Sequence, residues 1–269
     1  MVFDRLRRRL EWNGTSGSPR SSNAASSLHL FWDAPGPWVE AHAVVEIVEP
    51  PRVRALSFWA LQVGFTDPRR EDGGDAGAAH LGLQWHPEHP HSTAVNWGGY
   101  RAGGGELDGS PSALPSATGN PNTRDLAWSP GRRYRLRVRR GQSVPPDGGH
   151  AWAGEVTDLE TGASTVVRDL WTGGTHLAGP MVWSEIFARC DDPRASVRWS
   201  ELGLVDDAGR AHAVDAVTVN YQAVTDGGCV TTDSSPGGGG IVQATGIPRA
   251  TPQGSRLSLP GPVGGDAPT

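Results

Sequence analysis

Two short segments of the sequence repeat a tryptophan and a glutamate at the same spacing. Residues 182–186 read VWSEI, and residues 198–202 read RWSEL. If the two segments pair as a hairpin with Glu185 opposite Trp199, both glutamates share one face, because alternate strand residues point to the same side. Diagonal neighbours then lie about 7–8 Å apart, within reach of the roughly 5–9.5 Å that separates the carboxyls of glycoside hydrolases. The repeat indicates either a glycan hydrolase that uses Glu185 and Glu201, or two ordinary half-buried strands.

A second group of chemically capable residues is the segment HPEHPH at residues 86–91. His86, His89 and His91 with a glutamate would be a reasonable set of metal ligands. The two prolines spread these side chains, and we interpret the segment as a polar loop without a metal.

Two further groups of charged residues each have a chemical and a structural interpretation. Asp191 and Asp192 could hold Ca²⁺ at a rim, but an aspartate pair before Pro193 is typical of a turn. We therefore predict no cofactor. The arginines of residues 133–140 alternate with apolar residues; they would bind a polyanion or form ion pairs across a hairpin with Glu155.

Several predicted strands have one apolar face and one face of amides, imidazoles and glycines. Trp59, Leu61, Val63 and Phe65 alternate with Phe58, Ala60, Gln62 and Gly64. The two strands that follow place Gln84, His86 and Asn96 opposite Trp85 and Trp97 in the same way. The apolar residues are predicted to be core. The polar face is either the solvated outside of the sheet or a binding surface, where glycine lets a ligand approach the backbone.

The elements that must position these residues are short strands separated by Gly, Pro and Asp, with no sustained helical period. We predict eleven of them, at 28–33, 39–49, 53–65, 79–86, 93–100, 133–140, 151–158, 164–170, 180–190, 196–205 and 212–222. This spacing predicts an all-β fold, a single antiparallel β-sandwich of the jelly-roll kind.

A stretch within this region resembles a known superfamily. Residues 128–134, WSPGRRY, are followed by a strand and then by Trp152-Ala153-Gly154, as in concanavalin A-like and laminin G-like β-sandwiches. The resemblance is architectural, covers about residues 28–224, and implies a fold whose members often bind or cleave glycans.

Composition defines the ends of the sandwich and excludes some partners. Residues 1–27 are predicted to be a flexible N-terminal segment and residues 225–269 a Gly/Pro-rich, irregular C-terminal extension, so the sandwich is expected to fold without them. The net charge of −5 argues against a nucleic-acid partner. No apolar run reaches the length of a membrane span, and no apolar signal core follows Arg7 to Arg9, so the predicted location is the cytoplasm by default.

The chain has two cysteines, Cys190 and Cys229. A reducing compartment would keep both as free thiols. We expect them to lie near enough to pair in an oxidising one.

From these patterns the leading functional interpretation is a non-catalytic module that binds a carbohydrate or a similar polyhydroxy ligand. The alternatives are the hydrolase described above and a structural or assembly protein without a small ligand. The oligomeric state is not predicted. The residues expected to contact a ligand are Gln62, Gln84, His86, Asn96, Trp183, Glu185 and Trp199.

Overall fold

The computed structural model describes residues 12–69, 74–146 and 148–259, and these form two antiparallel β-sheets. Sheet 1 has the strand order β16-β13-β1-β10-β3-β4-β5-β6, and sheet 2 the order β14-β15-β11-β2-β7-β8-β9, with β12 paired to β11. The strands of sheet 1 are β1 (Ser26–Trp32), β3 (Ser57–Thr66), β4 (Ala78–Trp85), β5 (Thr93–Tyr100), β6 (Thr123–Asp125), β10 (His176–Ile186), β13 (Ala216–Tyr221) and β16 (Arg256–Ser258). The strands of sheet 2 are β2 (Glu40–Glu49), β7 (Arg133–Arg140), β8 (His150–Asp158), β9 (Ser164–Thr172), β11 (Ala195–Val205), β12 (Ala211–Ala213), β14 (Thr232–Gly237) and β15 (Gly240–Thr245).

The core lies between the two sheets, where the apolar face of each strand is buried. Trp59, Leu61, Val63 and Phe65 are each at most 2% exposed, as their alternation predicts. Trp97 is completely buried, and its indole N–H donates to the carbonyl of Trp152 on the facing sheet at 3.2 Å. Trp85 is only partly buried and packs at the edge of this core. The all-β sandwich predicted from the sequence is therefore confirmed.

The C-terminal part of the chain differs from the irregular segment that its composition predicts. β14 and β15 form a hairpin on the edge of sheet 2, and β16 pairs with β13 on the edge of sheet 1. Ile241 of β15 is fully buried in the common core. Glycine and proline supply the turns between these short strands, which explains why the composition of this segment predicts an irregular structure.

The hairpin expected between the two tryptophan–glutamate repeats does not form. β10 belongs to sheet 1, where it lies between β1 and β3, whereas β11 belongs to sheet 2 and pairs with β2 and β15. The turn between the two strands crosses from one sheet to the other. The predicted register, with Glu185 opposite Trp199, is wrong because a connection of this length can cross between sheets as readily as it can close a hairpin.

Cys190 and Cys229 form a disulfide with a Cα–Cα distance of 5.4 Å. The bond joins the turn after β10 to the segment that precedes β14. The expectation that the two cysteines lie near enough to pair is confirmed.

The arginines of β7 form ion pairs on the outer face of sheet 2. Arg137 binds Glu40 at 2.6 Å and Arg139 binds Glu155 at 2.7 Å, and Arg135 lies 3.2 Å from Glu201. These contacts support the ion-pair interpretation of the stripe. Within the described ranges, no helix is long and apolar enough to cross a membrane.

Candidate active site

The outer face of sheet 1 brings most of the predicted ligand-contacting residues together. Strand pairing places Glu185 opposite Phe58, Trp183 opposite Ala60, and Phe58 in turn opposite Gln84. Gln62 lies on the same face, because it is two residues from Ala60 along β3. Asn96 also lies there, because it pairs with Gly82, which is two residues from Gln84 along β4. The polar face predicted from three strands is therefore continuous with the β10 residues Trp183 and Glu185.

Three rings form a compact aromatic floor on this face. Phe58 and Trp183 meet edge to face with ring centroids 4.9 Å apart, and His80 lies 5.4 Å from Phe58 and 5.7 Å from Trp183. The indole N–H of Trp183 donates to Gln62 Oε1 at 2.9 Å, which fixes the amide orientation. Burial lowers the pKa of the His80 imidazole to about 4, so this ring is neutral over most of the pH range.

Glu185 is a partly buried carboxyl at the end of this face. Asn23 Nδ2 donates to Glu185 Oε1 at 2.9 Å, and the Ser27 hydroxyl donates to the same oxygen at 3.4 Å. Burial raises the pKa of Glu185 above its ordinary value, and the two hydrogen bonds offset only part of that effect. Within the described residues Glu185 has no ion-pair partner, and its Oε2 makes no hydrogen bond. Oε2 is not buried, so it is accessible to water.

Asn23 is held in one orientation by its own turn. Its Oδ1 accepts hydrogen bonds from the Ser21 hydroxyl at 2.8 Å and from the Ala25 N–H at 3.2 Å, so Nδ2 must face Glu185. Ala24 in the same turn has φ = +60°, a conformation that costs energy for a residue with a Cβ. Sequence reasoning missed Asn23 because it lies in a Ser/Asn-rich stretch that reads as a linker. The only hint was the SxN spacing, which is typical of a tight turn.

The other half of the predicted catalytic pair lies elsewhere. Glu201 is on the outer face of sheet 2, where its carboxylate binds both Arg133 and Arg135. Trp199, a predicted ligand contact, is fully buried in the core and donates to Gln243 Oε1 at 3.0 Å. Glu201 is therefore on the opposite side of the sandwich from Glu185, Trp199 lies inside the core, and the two-glutamate site is wrong.

The remaining candidates are engaged in local contacts. His89 is buried and its Nδ1 lies 2.5 Å from Asp125 Oδ1, whereas His86 packs against the His89 ring edge to face. Asp191 binds Arg189, and Asp192 accepts the Arg189 backbone N–H at 2.8 Å. Among the described residues, no three His, Cys, Asp or Glu side chains are grouped so that they could hold a metal ion.

Comparisons with known proteins give structural matches only. No protein-family model and no curated protein matches the sequence. A scytalido-glutamic peptidase bound to a peptide-based transition state analog has a TM-score of 0.47 and 10% identity, covering 86% of this chain and 99% of that chain. SCP-B, a member of the Eqolisin family of peptidases in a complex with the tripeptide Ala-Ile-His, has a TM-score of 0.45 and 11% identity, with coverage of 86% and 99%. The alginate lyase Aly36B has a TM-score of 0.29 and 14% identity, with coverage of 64% and 83%.

These findings correct the leading functional interpretation. The similar structures are described as peptidases and a lyase rather than as non-catalytic binding modules. The interpretation of this chain as a non-catalytic carbohydrate-binding module is corrected accordingly.

Proposed function

We propose that this protein is a hydrolase that cleaves peptide bonds, with Glu185 as the residue that transfers the proton. The observation that carries the proposal is the state of the Glu185 carboxyl. One oxygen is fixed by Asn23 and Ser27, the other is open, and burial raises its pKa. A carboxyl whose pKa lies nearer to the working pH is suited to act as base and then as acid.

The geometry supports a single-carboxyl mechanism. A water molecule at Glu185 Oε2 loses a proton to the carboxylate while its oxygen attacks the carbonyl carbon of the scissile bond. Among the described residues Asn23 Nδ2 donates to Glu185 alone, so its second N–H can donate to the oxyanion that forms. The protonated Glu185 then returns its proton to the departing amine, which breaks the C–N bond and restores the carboxylate.

Glu185 and Glu201 together do not supply glycan hydrolysis of the usual two-carboxyl kind. That reaction needs an acid and a second carboxylate within about 10 Å of it. In the part of the chain that the structure describes, Glu185 hydrogen-bonds an amide and a hydroxyl but no second acid, and Glu201 faces away on sheet 2. An acyl bond needs only the carboxyl and an oxyanion donor, both of which are present.

The test is hydrolysis of an unfolded protein and of a mixed peptide library by the wild type and by Glu185→Gln. The amide keeps the shape of the carboxyl and can still accept the Asn23 hydrogen bond, but it cannot take up a proton. We expect a loss of at least 100-fold in kcat/KM, and in the wild type an acid limb of the pH profile above pH 4.5, because the pKa of Glu185 is raised.

The matched control is Glu88→Gln, which changes an exposed glutamate in the loop after β4 and leaves the Glu185 cluster intact. It is expected to retain full activity. Equal peptide hydrolysis by the wild type and Glu185→Gln would overturn the proposal. Cleavage of polysaccharides by the wild type, with no cleavage of peptides, would do the same.

A further inference from the structure

A cavity of about 720 Å³ lies beside Glu185 on the β1–β13 side of sheet 1. Ser27, which touches Glu185, forms part of its wall, together with His29, Asn220, Gln222, Gln253 and Arg249. Gln222 is tied to Ser27 twice, since it donates its backbone N–H to the Ser27 carbonyl at 2.9 Å and accepts the Ser27 N–H on Oε1 at 3.1 Å. The wall of the cavity is thus continuous with the proposed catalytic cluster.

Arg249 is the only one of these wall residues that carries a fixed positive charge. Its Nη2 donates to the Cys229 carbonyl and to the Thr232 hydroxyl, both at 2.8 Å, and its Nε donates to the Thr232 carbonyl at 3.1 Å. The guanidinium carbon lies 3.8 Å from the centre of the Tyr221 ring. These contacts hold the guanidinium rigidly in place.

The charge of Arg249 is not used by an ion pair in the described part of the chain. Its Nη1 has no hydrogen-bond partner there and is accessible to solvent. The nearby Asp233 carboxylate is occupied on Oδ1 by the backbone N–H groups of Ala250 and Thr251 and by the Tyr221 hydroxyl. Asp226 also lines the cavity, but it is exposed and makes no ion pair with Arg249.

The neutral part of the wall is also ordered. Gln253 accepts the Tyr221 N–H on Oε1 at 2.7 Å and donates to Asn220 Oδ1, and Asn220 Nδ2 lies 3.4 Å from His29 Nδ1. A prearranged guanidinium surrounded by amides is the chemistry that recognises a carboxylate, because the donors lose little entropy on binding.

We propose that this cavity is a subsite that binds a carboxylate group of the substrate through Arg249. The inference rests on the proposed function, and it specifies the substrate as a peptide with a negative charge on one side of the scissile bond. The carboxylate is either that of the peptide C-terminus or that of an Asp or Glu side chain. The Ser27 wall places it next to the bond that the water at Glu185 would attack.

The test is calorimetric binding of four peptides to the full-length protein carrying Glu185→Gln, so that none is cleaved. The first pair is acetyl-tetraalanine and its C-terminal amide. The second pair is an acetylated, amidated tetrapeptide with one internal Asp and the same peptide with Asn. We expect at least a tenfold loss of affinity on removal of the carboxylate in one pair, and the affected pair identifies its source.

Arg249→Met should abolish the preference for the carboxylate, whereas Arg210→Met, which changes an exposed arginine of the β11–β12 turn, should retain it. Because Arg249 also holds the segment before β14, Gln253→Glu is the second variant. It places a negative charge in the same cavity at an exposed position and should weaken carboxylate binding at least tenfold. Equal affinity for the charged and neutral members of both pairs, or no binding of any peptide, would overturn the subsite. Failure of the proposed function has a different signature, since a wild type that cannot hydrolyse peptides would still discriminate between them.

Discussion

Glu185 differs from the other glutamates that face outwards from the sheets in having no arginine partner among the described residues. Glu40, Glu46, Glu155 and Glu201 each bind at least one arginine on sheet 2. Glu185 has instead two hydrogen-bond donors, an amide and a hydroxyl, and partial burial, which outweighs them and raises the pKa of the carboxyl.

This residue should make the folded protein less stable at neutral pH. Because the pKa of Glu185 is higher in the folded than in the unfolded chain, its contribution to stability is present below the unfolded value and is lost as the pH rises through the folded value. Glu185→Gln should therefore raise Tm at pH 7, by about 2–4 °C for each kcal/mol relieved. At pH 3 the two proteins should melt alike.

Thermal melts of both proteins at the two pH values measure this directly, with Glu88→Gln as the control that shifts neither. A Tm increase at pH 3 that equals the one at pH 7 would show that the effect comes from packing and not from the buried charge.

The sequence predicted residues of the site where strand alternation was informative and missed those in turns. Gln62, Gln84, Asn96, Trp183 and Glu185 share a face because each occupies the same parity in its strand. Asn23 could not be found in this way, since its position depends on a turn at Ala24 and on contacts with a strand more than 150 residues away. Trp199 was misassigned because parity alone does not say which sheet a strand joins.

At the level of strands, the packing of sheet 1 on sheet 2 requires close contact between Gly154 of β8 and Trp97 of β5. A Cβ on Gly154 would lie 2.6 Å from Cγ of the Trp97 ring, closer than real side chains approach. Trp97 cannot move away, since it is completely buried and hydrogen-bonded to Trp152.

Gly154→Ala should therefore destabilise the fold by about 1–3 kcal/mol, the typical cost of overpacking. Gly173→Ala is the matched control, because a Cβ there meets no atom within 4 Å, and it should change stability by less than about 0.5 kcal/mol. Urea unfolding followed by tryptophan fluorescence measures both. Similar midpoints for the two variants would contradict the packing described here.

The predicted strands themselves were located well, because apolar alternation and turn residues are local properties of the sequence. β6 and β14 to β16 were missed, since they are short and rich in polar residues, Gly or Pro, and, apart from the β14–β15 hairpin, their pairing partners lie far away in the chain. Sheet membership is also non-local, and for this reason the β10–β11 connection was predicted as a hairpin.

For the whole molecule, the composition-based boundary at residue 224 predicts a core that folds without its C-terminal part, whereas the sheets predict dependence on it. Deletion of residues 225–269 removes β14, β15 and β16 and one partner of the disulfide. We expect the shortened protein to lose its cooperative thermal transition, as measured by circular dichroism, because buried strand edges and apolar residues become exposed.

Point variants of β15 separate this effect from loss of the chain end. Ile241→Ala should cost about 2–5 kcal/mol, since Ile241 is completely buried. Val242→Ala, on the partly exposed face of the same strand, should cost clearly less. A stable, cooperatively folding 1–224 protein would show that the C-terminal strands are accessory to the fold.

The pairing of β1 with β10 and β13 has a consequence for biosynthesis. Ser27 pairs with Glu185, and Leu28 pairs with Tyr221, so the first strand has no neighbour until most of the chain has left the ribosome. At about 5–20 residues per second, the nascent strand waits roughly 10–40 s for its partners. Asn23 and Glu185 meet only when β1 pairs with β10, so the proposed site cannot assemble before β10 has been made.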